Sequence, residues 1–244
     1  MPRPEELSTT NASLVPEAGS LYVVATPLGN LADISERAIA ILEKTSLIAC
    51  EDTRVAGKLL SKLGIENRTV SYHDNNERPM APKLAEELSQ GKSIALISDA
   101  GTPALSDPGF RLIRECRKRG IPVVPVPGPC AAIALLSVSG LPSDRFLFVG
   151  FLPPKSAARV RFLESNKDLG HSIILYESCH RIEKLFSEML ETLGPNRFVC
   201  IGREITKRFE SIATNSLGEL APIFEQSSKK GEFSIVIAPD GFVL

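Results

Sequence analysis

Short apolar, β-rich runs alternate with helical patterns from Leu21 onward, and four of those runs end in loops of glycine, proline and small polar residues. Alternation of this kind builds a mostly parallel sheet with helices on both faces, and ligands of such sheets bind beyond the carboxyl ends of the strands. In the first half, strands are expected at Leu21–Ala25, Leu47–Cys50, Thr69–Tyr72, Ser93–Ile97 and Val123–Val126. Asp33 and Glu36 have capping-box spacing before the helical stretch ERAIAILEK, and Thr53 is placed to cap VAGKLLSKL, which Gly64 closes. A further helix is expected over roughly Pro82–Ser89, another over GFRLIRECRKR up to Gly120, and a small apolar one after Pro129.

The turn-rich stretch GLPSDR at 140–145 reads as a break, which gives a loose tail over 1–20, one α/β domain over 21–142 and a second over 143–244. The second half restarts with strands at Phe146–Val149 and Ser172–Tyr176, with a helix between them from about Ser156. A helix over Arg181–Leu193 closes at Gly194, and adjacent strands follow at Phe198–Arg203 and Arg208–Ala213. Ser216 and Glu219 form a second capping box, opening a helix to about Ser227 before a last strand at Phe233–Ala238. This half is expected to be a mixed sheet with helices, so the chain as a whole is α/β with two α/β domains.

Of the 244 residues, 43% are apolar, enough to build two cores. No run reaches the roughly 18 apolar residues of a membrane-spanning helix. The first twenty residues lack the basic-then-apolar order of a secretory signal. Five widely spaced cysteines, with no CxxC pair, predict reduced thiols in a cytoplasmic protein and no metal site. The net charge of -1 runs against a nucleic-acid partner unless basic groups are unevenly placed. KSAARVR at 155–161 carries Lys155, Arg159 and Arg161 with no acid, and Lys229–Lys230 is a smaller basic spot; a charge run of this kind is more often just a solvated face.

Gly91-Lys92-Ser93 imitates the end of a P-loop, but Glu86 stands where its first glycine belongs and the triplet precedes a strand, so it is a plain turn. There is no GxGxxG, and His73, His171 and His180 have no metal-ligand spacing. The four strand-end loops are TPLGNL at 26–31, SDAGTPALSDPG at 98–109, VPGPCA at 126–131 and YESCHR at 176–181. Glycines permit close backbone approach and prolines fix loop shape, and a nucleoside without phosphates needs few phosphate-cradling features. That combination fits a cationic, adenosine-bearing cofactor; any one loop taken singly reads as a plain turn, and the four together at strand ends reverse that reading.

These loops, together with EDTR at 51–54, SYHDNNE at 71–77, LYESCHR at 175–181 and REITKRFE at 203–210, closely resemble the small-subunit ribosomal RNA methyltransferase I family within the tetrapyrrole methylase superfamily. The resemblance covers about Leu21 to Val236. It implies a tetrapyrrole methylase-like fold with the cofactor in an interdomain cleft, a homodimer, and S-adenosylmethionine-dependent 2′-O-methylation of a cytidine ribose in small-subunit rRNA, as naked RNA or in the assembled small ribosomal subunit. It further implies cofactor contacts near Leu28, Ser98, Asp99, Ala100, Thr102 and Ala131, and from the second domain Tyr176, Ala213 and Phe233. Catalytic candidates are Glu204, Lys207 and Arg203, then Glu51 and Asp52, with Arg54, Arg181 and Lys207 as RNA contacts. The sequence departs from the family pattern at Cys130, Cys179 and Asn75. Two alternatives are weighed: a tetrapyrrole C-methyltransferase of the same fold, against which the charged EDTR and REITKRFE sets count, and a non-catalytic RNA-binding module, against which the intact cofactor loops count.

Overall fold

The computed structural model describes residues 14–244; most of the expected tail, residues 1–13, lies outside the described residues. The last tail residues are held in place, with the Glu17 amide donating to the Tyr22 hydroxyl at 2.8 Å and the Ile94 amide donating to the Ser20 carbonyl at 3.1 Å. The chain forms two compact units, one of residues 14–27 and 31–129 and one of 28–30 and 130–244.

The first unit runs β1 (Leu21–Val24), α1 (Glu36–Lys44), β2 (Leu47–Cys50), α2 (Thr53–Leu63), β3 (Thr69–Ser71), α3 (Glu77–Ser89), β4 (Ile94–Ile97), α4 (Phe110–Lys118) and β5 (Val123–Val126). Its five strands are all parallel, in the order β3-β2-β4-β1-β5. Alternate residues of these short apolar strands feed two cores. Leu21, Leu47, Ala49, Ile94 and Leu96 pack with α3 and α4 residues on one face. Tyr22, Val24, Ile48, Cys50, Ala95 and Ile97 pack with α1 and α2 residues on the other. The connection leaving β1 therefore crosses one face and that leaving β4 crosses the opposite face, which makes the β4–β1 junction the point where the winding reverses.

Local capping differs from the sequence expectation in detail. Ser35, not Asp33, caps α1 by accepting from the Ala38 amide at 3.1 Å. Asp52, not Thr53, caps α2 by accepting from the Arg54 amide at 2.8 Å. Helix α3 begins at Glu77, five residues before the expected start, and keeps Pro82 inside it. Burial of Ala81, Leu84, Ala85 and Leu88 along one stripe outweighs the backbone donor lost at that proline.

The second unit comprises α5 (Ala131–Val138), β6 (Phe146–Phe151), α6 (Ser156–Asn166), β7 (Ser172–Ser178), α7 (Ile182–Leu193), β8 (Phe198–Arg203), β9 (Ser211–Ser216), α8 (Leu217–Gln226) and β10 (Glu232–Ile237). Its sheet is mixed, in the order β6-β7-β10-β8-β9, with β6 parallel to β7 and the other pairs antiparallel. One face carries Ile173, Leu175, Val199, Ile201, Phe233 and Ile235 against apolar residues of α6, α7 and α8. The other carries Ile174, Cys200 and Val236 against Ala132, Leu135 and Leu136 of α5. The sequence reading placed the boundary at 142/143, but the units part at Pro129/Cys130 because α5 packs on this second sheet. Strand β9 begins three residues later than expected, since 204–210 is a tight turn in which Glu204 and Thr206 take positive φ values of 52° and 65°.

Arg159 was counted in a basic surface run, yet it is 2% exposed. It lies one turn from Leu163 on the buried stripe of α6, and donates to both oxygens of the buried Glu188 carboxylate at 2.7 Å. Ser156 donates to the same carboxylate at 2.5 Å. Glu188→Ala leaves the guanidinium buried without its counter-charge and is expected to cost roughly 3–5 kcal/mol. Urea unfolding of the variant measures this; a loss under about 1 kcal/mol would show that Arg159 finds another acceptor.

Candidate functional site

In the first unit, the parallel register Cys50↔Ile97 brings the segments that follow β2 and β4 out side by side. The Asp52 amide donates to Asp99 Oδ1 at 3.1 Å. The loops after β1 and β4 are joined by a reciprocal pair, Thr26 N to Gly101 O at 2.8 Å and Gly101 N to Thr26 O at 3.0 Å. The buried Thr26 hydroxyl donates to the Ser98 carbonyl, and the Thr102 hydroxyl donates to the Pro129 carbonyl at 3.0 Å. A side chain at Gly128 would meet the Ala25 Cβ at 3.0 Å, so the proline-glycine turn after β5 closes directly on the end of β1. Three sequence motifs, TP at 26–27, SDAGTP and VPGP, thus form one hydrogen-bonded platform. Ala104 and Ser106 hold φ values of 67° within it, a strained conformation of the kind that gathers at functional sites.

Charge in this platform is crowded and negative. Burial, then the neighbouring Asp99 carboxylate, push Glu51 above its ordinary range. Burial, then the Asp52 carboxylate, push Asp99 up against the opposing Asp52 amide. Asp107 is pushed up to about 6, chiefly by burial, with the Ser98 hydrogen bond opposing and Glu51, Asp99 and Asp74 adding to the rise. Asp107 lies in the SDAGTPALSDPG loop, where nothing in the sequence sets it apart; its partial burial is a tertiary property. Asp52 is held far below the usual carboxylate range by hydrogen bonds from the Arg54 guanidinium and amide. Arg54 grips it at 2.6 and 3.0 Å while its side chain stays 85% exposed, so one face of the guanidinium remains open to solvent. The SYHDNNE motif is mainly architectural: the Leu112 amide donates to Tyr72, Tyr72 donates to Glu77, and Arg111 donates to Glu77 at 2.7 Å.

In the second unit, Leu28, Ala131 and Tyr176 all border the α5 face of the sheet, where the Ala132 amide donates to the Tyr176 hydroxyl at 3.0 Å. Ala213 and Phe233 turn their side chains to the opposite face, into the core with α7 and α8. Any contact from those two to a ligand on the α5 face therefore runs through main chain.

The REITKRFE motif is a rigid turn. Arg203 donates to the carbonyls of Lys230 and Phe209, and Glu210 accepts from the Thr206 amide at 2.6 Å. Glu204 accepts from the Glu232 amide and from Lys207, both at 3.0 Å, and Lys207 also reaches Glu232 at 2.7 Å. Burial raises the Glu204 carboxyl, but that amide and the Lys207 ammonium outweigh it and hold it below its ordinary value. A Cβ at Gly29 would fall 2.3 Å from Lys207 Cγ, so the glycine of TPLGNL is where the lysine stem lies against the backbone. The TPLGNL and REITKRFE motifs are one construction, although Gly29 and Lys207 stand 178 positions apart. Elsewhere, Arg181 is paired with the buried Glu177 at 2.8 Å, and Lys229 caps the end of α8 through the carbonyls of Phe224 and Ser227, the structural reading of that basic spot. The five cysteines are free, and no group of residues able to hold a metal occurs among the described residues.

A family model described as Tetrapyrrole (Corrin/Porphyrin) Methylases matches residues 20–221. The chain belongs to this family. It is 50% identical over 221 residues to the ribosomal RNA small subunit methyltransferase I of Pasteurella multocida (strain Pm70), covering 90% of this chain and 79% of that one. It is 47% identical to the protein of the same name from Escherichia coli O157:H7, covering 90% and 77%. Among solved structures, uroporphyrin-III-C-methyltransferase from Thermus thermophilus superposes with a TM-score of 0.60 at 19% identity over 90% of this chain and 94% of that one. The methyltransferase CobJ superposes with a TM-score of 0.67 at 14% identity over 93% and 96%. These last two share the fold.

The raised Asp107 carboxyl gives a signed pH dependence. Its folded value lies above its unfolded one, so the folded state binds the extra proton, and this group's contribution to stability falls as pH rises from about 4 to about 6. Asp107→Asn is expected to flatten that descent and to add up to about 3 kcal/mol at neutral pH. Urea unfolding across pH 4–7 tests it; parallel curves for the two proteins would show that Asp107 does not carry the raised pKa.

Proposed function

We propose that this protein methylates small-subunit ribosomal RNA with S-adenosylmethionine, and that the acceptor is a cytidine ribose 2′-hydroxyl. The observation that carries the rRNA reading is near-half identity, across about nine-tenths of the chain, to proteins named ribosomal RNA small subunit methyltransferase I. Tetrapyrrole C-methyltransferases share the fold at under 20% identity, and the charged turns at 51–54 and 203–210 suit an RNA better than a macrocycle. No helix among the described residues is long and apolar enough to cross a membrane. A cytoplasmic homodimer is part of the proposal, since a second copy doubles the basic surface of a near-neutral chain.

The residues present fit the cofactor. When bound, S-adenosylmethionine supplies an electrophilic methyl group on a positively charged sulfur. Glu51, Asp99 and Asp107 make the first unit's platform electronegative, which favours a cation, and the platform's Gly/Pro loops offer carbonyls and small side chains in place of a phosphate cradle. Ser98, Asp99, Ala100 and Thr102 are proposed as its contacts, and Leu28, Ala131 and Tyr176 are proposed as further contacts, with Ala213 and Phe233 contributing main chain.

The chain's own part is to position the hydroxyl and accept its proton. Alignment of reacting groups supplies up to about 7–11 kcal/mol in the best cases. Glu204 is held ionised in a closed ion-pair network, which makes it an orienting group together with Arg203 and Lys207. Asp52 is committed to Arg54 and is depressed. Glu51 is the half-buried carboxylate whose affinity for protons is raised, so it is our choice of proton acceptor. Arg54, with its open face, is our choice of phosphate contact in this unit.

Single-turnover transfer from labelled cofactor to undermethylated small subunits, with mapping of the modified ribose, tests the reading. Glu51→Gln is expected to slow the chemical step by about 10²–10⁴ at saturating substrates, and Glu204→Gln by less than about tenfold. The reverse order would return the base to Glu204. Transfer to uroporphyrinogen with none to small subunits would overturn the rRNA reading.

A further inference from the structure

The segment joining β6 to α6 is exposed on its outer side and fastened from within. Two guanidinium groups occupy three consecutive carbonyls: Arg181 donates to Leu152 O at 3.2 Å, and Arg159 donates to Pro153 O and Pro154 O at 3.4 and 2.9 Å. Each guanidinium is set by a buried carboxylate, Glu177 for Arg181 and Glu188 for Arg159. Pro153 and Pro154 lack amide donors and fix their own φ, so the loop has few internal degrees of freedom left. Buried ion pairs return little net stability for the desolvation they require. Here they hold a surface loop in one shape.

An exposed aromatic ring opens that loop and an exposed cation closes it. Strand β6 bulges between Phe148 and Gly150, where Gly150 takes φ 63°. The bulge puts Phe148 opposite Ile174 and Phe151 opposite Tyr176, on one face of the sheet although they are three residues apart. Phe151 is 53% exposed and stands edge-on to Tyr176 with ring centroids 5.8 Å apart. Lys155, four residues on, is exposed at the start of α6, and no acidic residue occurs between Phe151 and Leu163. Arg161 adds an outward charge on the exposed side of the helix.

We propose that the loop Phe151–Lys155 is a preformed docking element for single-stranded RNA, in which Phe151 stacks on a base and Lys155 contacts a phosphate beside Tyr176. Arg159 and Arg181 are positioning residues that act through the loop backbone. A ring held at a fixed angle and a cation on the same short loop are a combination that binds unpaired nucleotides without reading their sequence. Fixing the loop before binding removes the entropy of ordering it on contact. This proposal rests on the rRNA reading given above and names the part of the chain that first grips that substrate.

The test uses the full chain and undermethylated small ribosomal subunits, with affinity measured across a salt series. Lys155→Ala is expected to lower the slope of log affinity against log salt by about one. Phe151→Leu keeps an apolar contact to Tyr176 but removes the stacking face, and is expected to weaken binding roughly fivefold or more. Calorimetry with S-adenosylmethionine is expected to give wild-type affinity for both variants. An unchanged slope in Lys155→Ala, or wild-type affinity in Phe151→Leu, would overturn the assignment. With a photoreactive benzoylphenylalanine replacing Phe151, the adduct is expected on RNA; an adduct on a ribosomal protein, or none on RNA, also overturns it. A wild-type chain that fails to methylate small subunits would instead defeat the rRNA reading, so the two failures are distinguishable.

Discussion

Parallel pairing of β2, β4 and β1 is the constraint on which the candidate chemistry of the first unit depends. The ladder fixes Cys50 beside Ile97 and Tyr22 beside Ala95, and so decides which residues leave the sheet together. A one-residue slip would turn Ile48 and Ala95 to the opposite core and move Glu51 away from Asp99. Because both faces of the sheet are packed, that slip is closed off, and the amide-to-carbonyl exchange between Thr26 and Gly101 continues the order into the loops. The carboxylates that result are crowded and partly dehydrated, which costs stability. Glu51, Asp99 and Asp107 bear that cost in common, and a cation placed near them would relieve it.

The second unit solves a different problem with mixed pairing. Among the described residues its sheet has a helical layer of α6, α7 and α8 on one face and the single helix α5 on the other, with Tyr176 and Leu28 bordering that thinner side. Close packing there is achieved by omission of side chains: a Cβ at Gly202 would meet Leu135 at 2.7 Å, and one at Gly29 would meet the Lys207 stem. The charged turn at 203–210 is held by its own hydrogen bonds with two non-glycine residues in the left-handed region, so Glu204 and Lys207 are fixed in place before any ligand arrives.

The alternation of apolar runs and helical patterns was enough to read ten strands and eight helices in nearly correct places. The errors have physical causes. Capping residues were misassigned by one or two positions at α1 and α2 because several Ser, Thr and Asp side chains compete for the same amides. Helix α3 was shortened because Pro82 reads as a start when its burial pattern is not known. Strand β9 starts later than the pattern of apolar residues suggests because nothing in REITKRFE marks Glu204 and Thr206 as left-handed. Arg159 was read as surface because charge is visible in a sequence and a buried partner 29 residues away is not.

The sequence by itself determined the α/β class, the parallel first sheet, the strand-end position of the glycine and proline loops, and the residue types offered there, since each follows from local periodicity and the backbone freedom of single residues. Tertiary structure alone decided which of those residues act together. It joined Gly29 to Lys207 and Asp52 to Asp99, sent Ala213 and Phe233 to the face opposite Tyr176, gave α5 to the second unit, and turned Arg159 and Arg181 inward to brace a loop. The reason is that burial and ion pairing depend on distances between residues far apart in the chain, and those distances exist only once both sheets are packed.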